Sequence, residues 1–228
     1  MSSAVVELQS KFLGPYLADP GSSPDDWGND VKAFCILCHA AFEDFAEDLS
    51  LIVCENSLRK WNTPKREVDI VLLSLAAFYG ANIGIEEKEN LSQLPVNDML
   101  RKELDEIRTK HRQAIDDNHG FSKKYLRNLM TPIGINIPDE PASDAALSKI
   151  SSARGSFAHT YKKGSEFTEG KSKWGSNRKL MSPDDAREAA EDCLNICNEL
   201  KTRAVKRGQL ANQPRQYSKR VFLKWLLR

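Results

Sequence analysis

The sequence predicts an all-α protein, a bundle of about six to eight helices interrupted by one irregular basic loop. Apolar residues recur at steps of three and four over long stretches, the spacing of a helix with one buried face. Helix starts and stops are marked by Ser, Thr or Asp before Pro and by Gly at the ends. No stretch alternates apolar and polar residues with the period of a half-buried strand. At 228 residues and 40% hydrophobic, the chain can bury one full core. Composition divides it into a helical domain over 1–210 and an amphipathic helical extension over 211–228, with Gly208 to Pro214 as the linker.

In chain order, residues 3–18 read as a short helix using Val6, Phe12, Leu13, Tyr16 and Leu17, broken by Asp19-Pro20-Gly21 and Ser22-Ser23-Pro24. The strongest helical signal runs from Asp30 to about Cys54, through Val31, Cys35, Cys38, Phe42, Phe45, Leu49 and Ile52. Its other side carries His39, Glu43 and Glu47 on one ridge, each four residues from the next. Thr63 is expected to cap a third helix with Pro64 at its first position, running through Val68, Val71, Leu72, Leu75 and Phe78 to between Gly80 and Gly84. A charged helix follows from about Val96 to Asn118, with Leu100, Leu104, Ile107 and His111 on one face and Gly120 as the stop.

Ser122 to Met130 reads as a short helix ended by Thr131-Pro132. Ile133 to Pro141 is a loop that leads into a further helix, with Asp144 suited to its N-terminus. After Lys163, glycines, serines and basic residues interleave with Phe167 and Trp174, the composition of an irregular loop. Ser182 then caps a helix with acids in its first turn and Ala186, Ala189, Cys193, Ile196, Cys197 and Leu200 along its apolar side. The last segment, Tyr217 to Arg228, places Val221, Phe222, Trp225 and Leu226 on one face.

The formal net charge is only +1, so charge alone names no partner, but its distribution is polar. Residues 25–55 carry eight acids against Lys32, and nine basic residues follow Glu199 with no further acid. Such polarity suits an anionic partner at the basic end or association of unlike faces; a solvated tail is the plain alternative. Five cysteines and a start without a basic-then-apolar leader are expected of a cytoplasmic protein in a reducing compartment. The longest uncharged run, Ile70 to Ile85, is too short to cross a bilayer comfortably, so no membrane partner is expected.

Cys35-x-x-Cys38 with His39, and Cys193-x-x-x-Cys197, hold enough sulfur and nitrogen for zinc. Both pairs fall at helical spacing on apolar faces, where cysteine acts as a small hydrophobe, so no metal and no cofactor is expected. P-loop, G-x-S-x-G and HExxH motifs do not occur, which leaves nucleotide hydrolase, serine hydrolase and zinc protease readings without their chemistry.

The stretch Ser151 to Tyr161 reads S-S-A-R-G-S-F-A-H-T-Y. It sets Arg154, a permanent planar fork of donors suited to phosphate oxygens, five residues ahead of His159, which can move a proton near neutral pH, with four residues between them. Residues five apart lie about 140° apart around a helix, so one helix cannot easily aim both at the same atom. A second arginine–histidine pair, Arg112 and His119 with six residues between them, lies where the charged helix ends.

The arginine–histidine pattern resembles that of the HEPN superfamily, all-helical ribonucleases and nucleotide-binding domains. The string C-H-A-A-F-E-D-F at 38–45 is similar to the opening helix of the RiboL-PSP-HEPN branch, where H-A-x-x-E sits on the helix packed beside the catalytic one. The sequence departs from the commoner pattern at Gly155, where Asn, Asp or His usually follows the arginine.

The resemblance implies a HEPN-like bundle that forms a homodimer, with two Arg/His pairs lining a shared cleft. It implies a metal-independent endoribonuclease of a bacterial defence or toxin type, with RNA as substrate and a cognate antitoxin or sensor protein as a further partner. On it, Arg154 and His159 are the catalytic residues, with Glu43, Ser156, Tyr161 and His39 supporting them. Tyr161 also stands where some such toxins are modified by a nucleotidyltransferase antitoxin; a core or rim tyrosine is the structural alternative. Lys162, Lys163, Lys171, Lys173, Trp174, Arg178 and Lys179 are candidates to hold RNA by phosphate contact and stacking. Two other readings stay open: a non-catalytic HEPN module that binds nucleotide or nucleic acid or mediates dimerisation, and a helical protein-interaction subunit.

Overall fold

The computed structural model describes residues 1–19, 21–81, 96–158 and 181–207. Among these residues the protein is all-helical, with eight helices: α1 (Ser2–Phe12), α2 (Gly14–Leu17), α3 (Pro24–Trp61), α4 (Ile70–Tyr79), α5 (Val96–Asp116), α6 (Lys123–Met130), α7 (Pro141–Ala158) and α8 (Pro183–Lys206). The expected loop at 164–180 and the segment 211–228 lie outside the described residues.

The bundle is organised around α3, whose 38 residues span about 57 Å at 1.5 Å per residue. It packs against α1, α7 and α8, and also against α4, α5 and α6. A helix with neighbours all round needs apolar residues beyond a single stripe. Accordingly Val31, Phe34, Cys35, Cys38, Phe42, Leu49 and Val53 are all buried.

α3 extends past both ends of the Asp30–Cys54 expectation. The Ser22-Ser23-Pro24 stretch, read as a breaker, is partly its start. Pro24 takes the first turn, where a missing N–H costs nothing. The Asp26 carboxylate accepts from both the Ser23 amide (2.9 Å) and its hydroxyl (2.8 Å). Those bonds hold Asp26 below the usual carboxylate range.

The start of α4 corrects the sequence reading. Thr63 and Pro64 do not open a helix: Thr63 Oγ1 donates to Lys60 O (2.7 Å) and closes the end of α3 instead. The cap is Asp69, whose Oδ1 accepts from the Leu72 amide (3.0 Å). Asp69 also receives the Ser57 hydroxyl and the Lys60 ammonium from α3, so tertiary contacts select it over the local Thr-Pro signal. The other end is as expected: Gly80 adopts the left-handed conformation (φ 66°) that closes α4. Ser182 likewise caps α8, its Oγ accepting from the Asp185 amide (3.1 Å).

A buried polar strut ties α3, α4, α5 and α6. Ser50 Oγ donates to Leu129 O (2.8 Å) and lies 3.0 Å from His111 Nε2. Since the serine proton is committed to the carbonyl, Nε2 carries a proton and donates to Ser50. Nδ1 is then an acceptor for the Tyr79 hydroxyl at 2.9 Å. Every polar atom of the fully buried His111 ring is satisfied in its neutral form. Burial pushes His111 down to about 4 and Tyr79 up to about 12.

Candidate active site

The helix segment 38–45 and the Arg154 region of α7 meet, and a short non-helical stretch between α5 and α6 joins them. α3 and α7 pack directly. Residues Asn118 to Phe121 are bonded to both helices, so at this junction the 38–45 segment and Arg154 are brought to the same stretch of chain.

On the α3 side lies the ridge His39, Glu43, Glu47. The sequence reading set this ridge opposite the apolar residues of α3. The structure instead covers it, leaving His39 only 2% exposed and Glu43 16%. The reason is the position of α3 at the middle of the bundle, where its polar ridge is roofed by residues 118–121. His39 Nε2 accepts the Phe121 amide at 3.1 Å. That bond commits the Nε2 lone pair, so the ring proton sits on Nδ1, which faces Glu43 Oε2 at 3.5 Å. The separation is long for a hydrogen bond, and Nδ1 has no closer partner among the described residues.

One turn further along α3, Glu47 Oε1 accepts from Asn118 Nδ2 at 2.7 Å. Burial pushes the Glu47 carboxyl up to about 6; the Asn118 bond opposes this, and the charges of Glu43, Asp44 and Asp48 add to it. Asn118 also donates to Gly120 O (3.3 Å), which tightens the turn. A Cβ at Gly120 would lie 2.9 Å from Tyr125 Cε2, so any side chain there requires the ring or the turn to shift. The Phe121 ring stacks at a tilt on Phe42, centroids 5.3 Å apart.

On the α7 side, Ser151 Oγ donates to Phe121 O (2.7 Å) and Arg154 Nη1 donates to His119 O (2.8 Å). Ser151 and Arg154 are three residues apart, so they reach from one face of α7 to alternate carbonyls of the same stretch. Arg154 is half-buried. It is held by a carbonyl, and among the described residues no carboxylate pairs with it. A carbonyl orients the guanidinium without cancelling its charge.

Arg112, the arginine of the second spacing match, is placed differently. Its Nε and Nη2 both donate to Glu55 Oε1 (3.1 and 2.8 Å), beside a two-bond pair from Arg108 to the same carboxylate. Burial pushes Glu55 up, but the bonds and charges of the two arginines outweigh it and hold Glu55 below its ordinary range. Arg112 therefore closes the α3–α5 seam.

Glu43 lies beside His39 rather than on Arg154, whose partner is the carbonyl of His119. Gly155 and Ser156 are on α7, and their side chains lie outside the described residues. So do His159, Tyr161, Lys162, Lys163, Lys171, Lys173, Trp174, Arg178 and Lys179. The sequence reading did not single out Asn118, Phe121 or Ser151, nor the backbone of His119. From sequence this stretch is a helix stop at Gly120 and holds the histidine of the second arginine–histidine pair; backbone donors and acceptors leave no residue-type signature.

All five cysteines are free and buried. Burial pushes Cys35, Cys54 and Cys193 up to about 12 and raises Cys38 and Cys197 as well. They fill the core as hydrophobes. Among the described residues, no group of three or more His, Cys, Asp or Glu is placed to hold a metal ion. No helix among them is long and apolar enough to cross a membrane.

The family model described as RiboL-PSP-HEPN matches residues 11–206. No curated protein and no solved structure matches the chain.

Proposed function

Because the chain belongs to the RiboL-PSP-HEPN family, we propose that it is a metal-independent endoribonuclease whose composite site uses Arg154 and His159. Membership establishes a HEPN module with an all-helical fold. What supports the enzymatic reading is the state of Arg154. It is oriented by a backbone carbonyl, has no carboxylate partner among the described residues, and sits where α7 packs on the H-A-x-x-E helix.

In the proposed reaction the ribose 2′-oxygen attacks its own phosphorus as the bond to the 5′-oxygen breaks. His159 takes the 2′-hydroxyl proton or returns one to the leaving 5′-oxygen. Arg154 holds the non-bridging oxygens of the crowded phosphorane, where a planar fork is worth more than a point charge. The products are a 2′,3′-cyclic phosphate and a 5′-hydroxyl. Two chains would pair so that two Arg/His sets line one cleft, and the basic residues from Lys162 to Lys179 would hold the RNA backbone. A bacterial defence or toxin setting, with an antitoxin or sensor protein as partner and Tyr161 as its point of control, completes the proposal.

The test is RNA cleavage by the purified protein in excess EDTA, beside Arg154→Ala and His159→Ala. Cleavage that both substitutions abolish, with cyclic phosphate ends, supports the proposal. Intact RNA from a folded dimer would favour a binding HEPN module without catalysis. Cleavage surviving both changes would move the site elsewhere.

A further inference from the structure

α4 has the sequence I-V-L-L-S-L-A-A-F-Y, without one charged residue. A helix that is apolar all round belongs in an interior, yet the described bundle covers α4 on one side only. Val71, Leu72 and Leu75 are buried against α3 and α5. Ile70, Leu73 and Ala77, spaced i, i+3, i+7, form a second stripe that faces outward. Ile70 is 51% exposed and Leu73 54%, and Phe78 on the flank is 52% exposed. Isolated exposed leucines are ordinary; a contiguous stripe marks a surface meant to be covered.

We propose that the stripe is covered by residues 217–228 of the same chain, docked along α4 through Val221, Phe222, Trp225 and Leu226. Arg207, the residue that ends α8, reaches toward α4 with its side chain. Gly134 lies between α4 and the end of α8: a Cβ built on it would be 2.5 Å from Ser74 Oγ and 3.5 Å from Arg207 Nη1. Ser74 borders the exposed stripe, one residue after Leu73. From there residues 208–216 span up to about 30 Å when extended, against a helix about 10–12 Å across.

The lengths also agree. Twelve residues, 217–228, make about 18 Å of helix, and the ten of α4 make about 15 Å. The four apolar residues sit at i, i+1, i+4 and i+5, one face of such a helix, which leaves Arg220, Lys224 and Arg228 off the contact. A tether this short gives an effective concentration on the order of millimolar, above that of any second copy in dilute solution. The segment lies beyond the family match at 11–206, so this is a property of the chain rather than of the family domain.

The test uses the full chain with Ala77→Cys carrying a benzophenone maleimide. The native thiols are buried with raised pKa, so labelling should reach one group per chain. After irradiation of a mixture of 15N and unlabelled chains, mass spectrometry is expected to find adducts on 217–228 within one chain. Phe222→Glu with Trp225→Glu should abolish them while helix content stays. Leu73→Cys, equally exposed, serves as a second probe position. Adducts to the other isotopic chain, adducts only on residues 82–95, adducts that survive the double change, or none from either probe would each overturn the proposal.

Discussion

Arg154 Nη1 lies 2.8 Å from the carbonyl oxygen of His119, and this bond joins the two arginine–histidine spacings that the sequence offers. The residues that compete as motifs are neighbours in space. His119 contributes its backbone to the site, and Arg112 is engaged by Glu55.

The first prediction follows from what a carbonyl anchor does and does not supply. Arg154→Ala should lower RNA cleavage by roughly 10²–10³-fold, the usual effect of removing one donor to a transition-state oxyanion. Arg154→Lys keeps the charge but loses the fork, so it should restore little. Stability should change by no more than about 1 kcal/mol, because only one partly exposed hydrogen bond is lost. Initial cleavage rates beside thermal unfolding separate the two effects.

Glu47 makes the junction pH-dependent in a definite direction. Its carboxyl is raised to about 6 in the folded protein, so the native state holds a proton that the unfolded chain has released above its ordinary glutamate pKa. By linkage, the stability associated with Glu47 is greatest at acid pH and declines as pH rises through about 6. Glu47→Gln can still accept from Asn118 and carries no charge. Its melting temperature should exceed that of the wild type at pH 7.5, and the gain should vanish near pH 4.5. A gain that is the same at both values would show that Glu47 is not desolvated.

Much of this fold is readable from periodicity because helices announce their buried face. Val31, Cys35, Cys38, Phe42, Phe45 and Leu49 on α3, Cys193 and Cys197 as core residues, His111 on the inner face of α5 and the Ser182 cap are as the sequence predicts, while Ile52 is only partly buried. Thr63-Pro64 misleads because capping signals are local, whereas Asp69 wins through Ser57 and Lys60, which only the fold brings to it. The His39 ridge misleads for a related reason: polar spacing on one helix does not say what roofs it. At the candidate site, Arg154 stands out by residue type, whereas the group it bonds does not, since that group is a backbone carbonyl.

His111 provides a test of the buried strut. His111→Ala leaves the Tyr79 hydroxyl and the Ser50 acceptor position unmatched and opens a cavity, which should cost about 2–4 kcal/mol at pH 7.5. The wild type must keep this ring neutral, with a folded pKa near 4, below that of an ordinary histidine. The unfolded chain therefore takes up the proton first, and the stability His111 contributes is lost as pH falls from about 6.5 toward 4. The gap between wild type and variant in urea unfolding should shrink at pH 5. A gap that does not change with pH would contradict a neutral buried imidazole.

Gly120 tests whether the 118–121 stretch must hold its shape for the site to work. A methyl group there meets the Tyr125 ring at 2.9 Å, and relieving the clash requires the ring or the turn to move. Gly120→Ala should therefore destabilise by about 1–3 kcal/mol. Tyr125→Leu in the same chain gives the methyl room and should recover part of that loss as a coupling in a double-mutant cycle. Because His119 O, the anchor of Arg154, sits on the same turn as Gly120, cleavage should fall in Gly120→Ala under conditions where the protein remains folded, and rise again in the double variant. Stability that recovers without activity would mean that the turn supports the bundle but does not position Arg154.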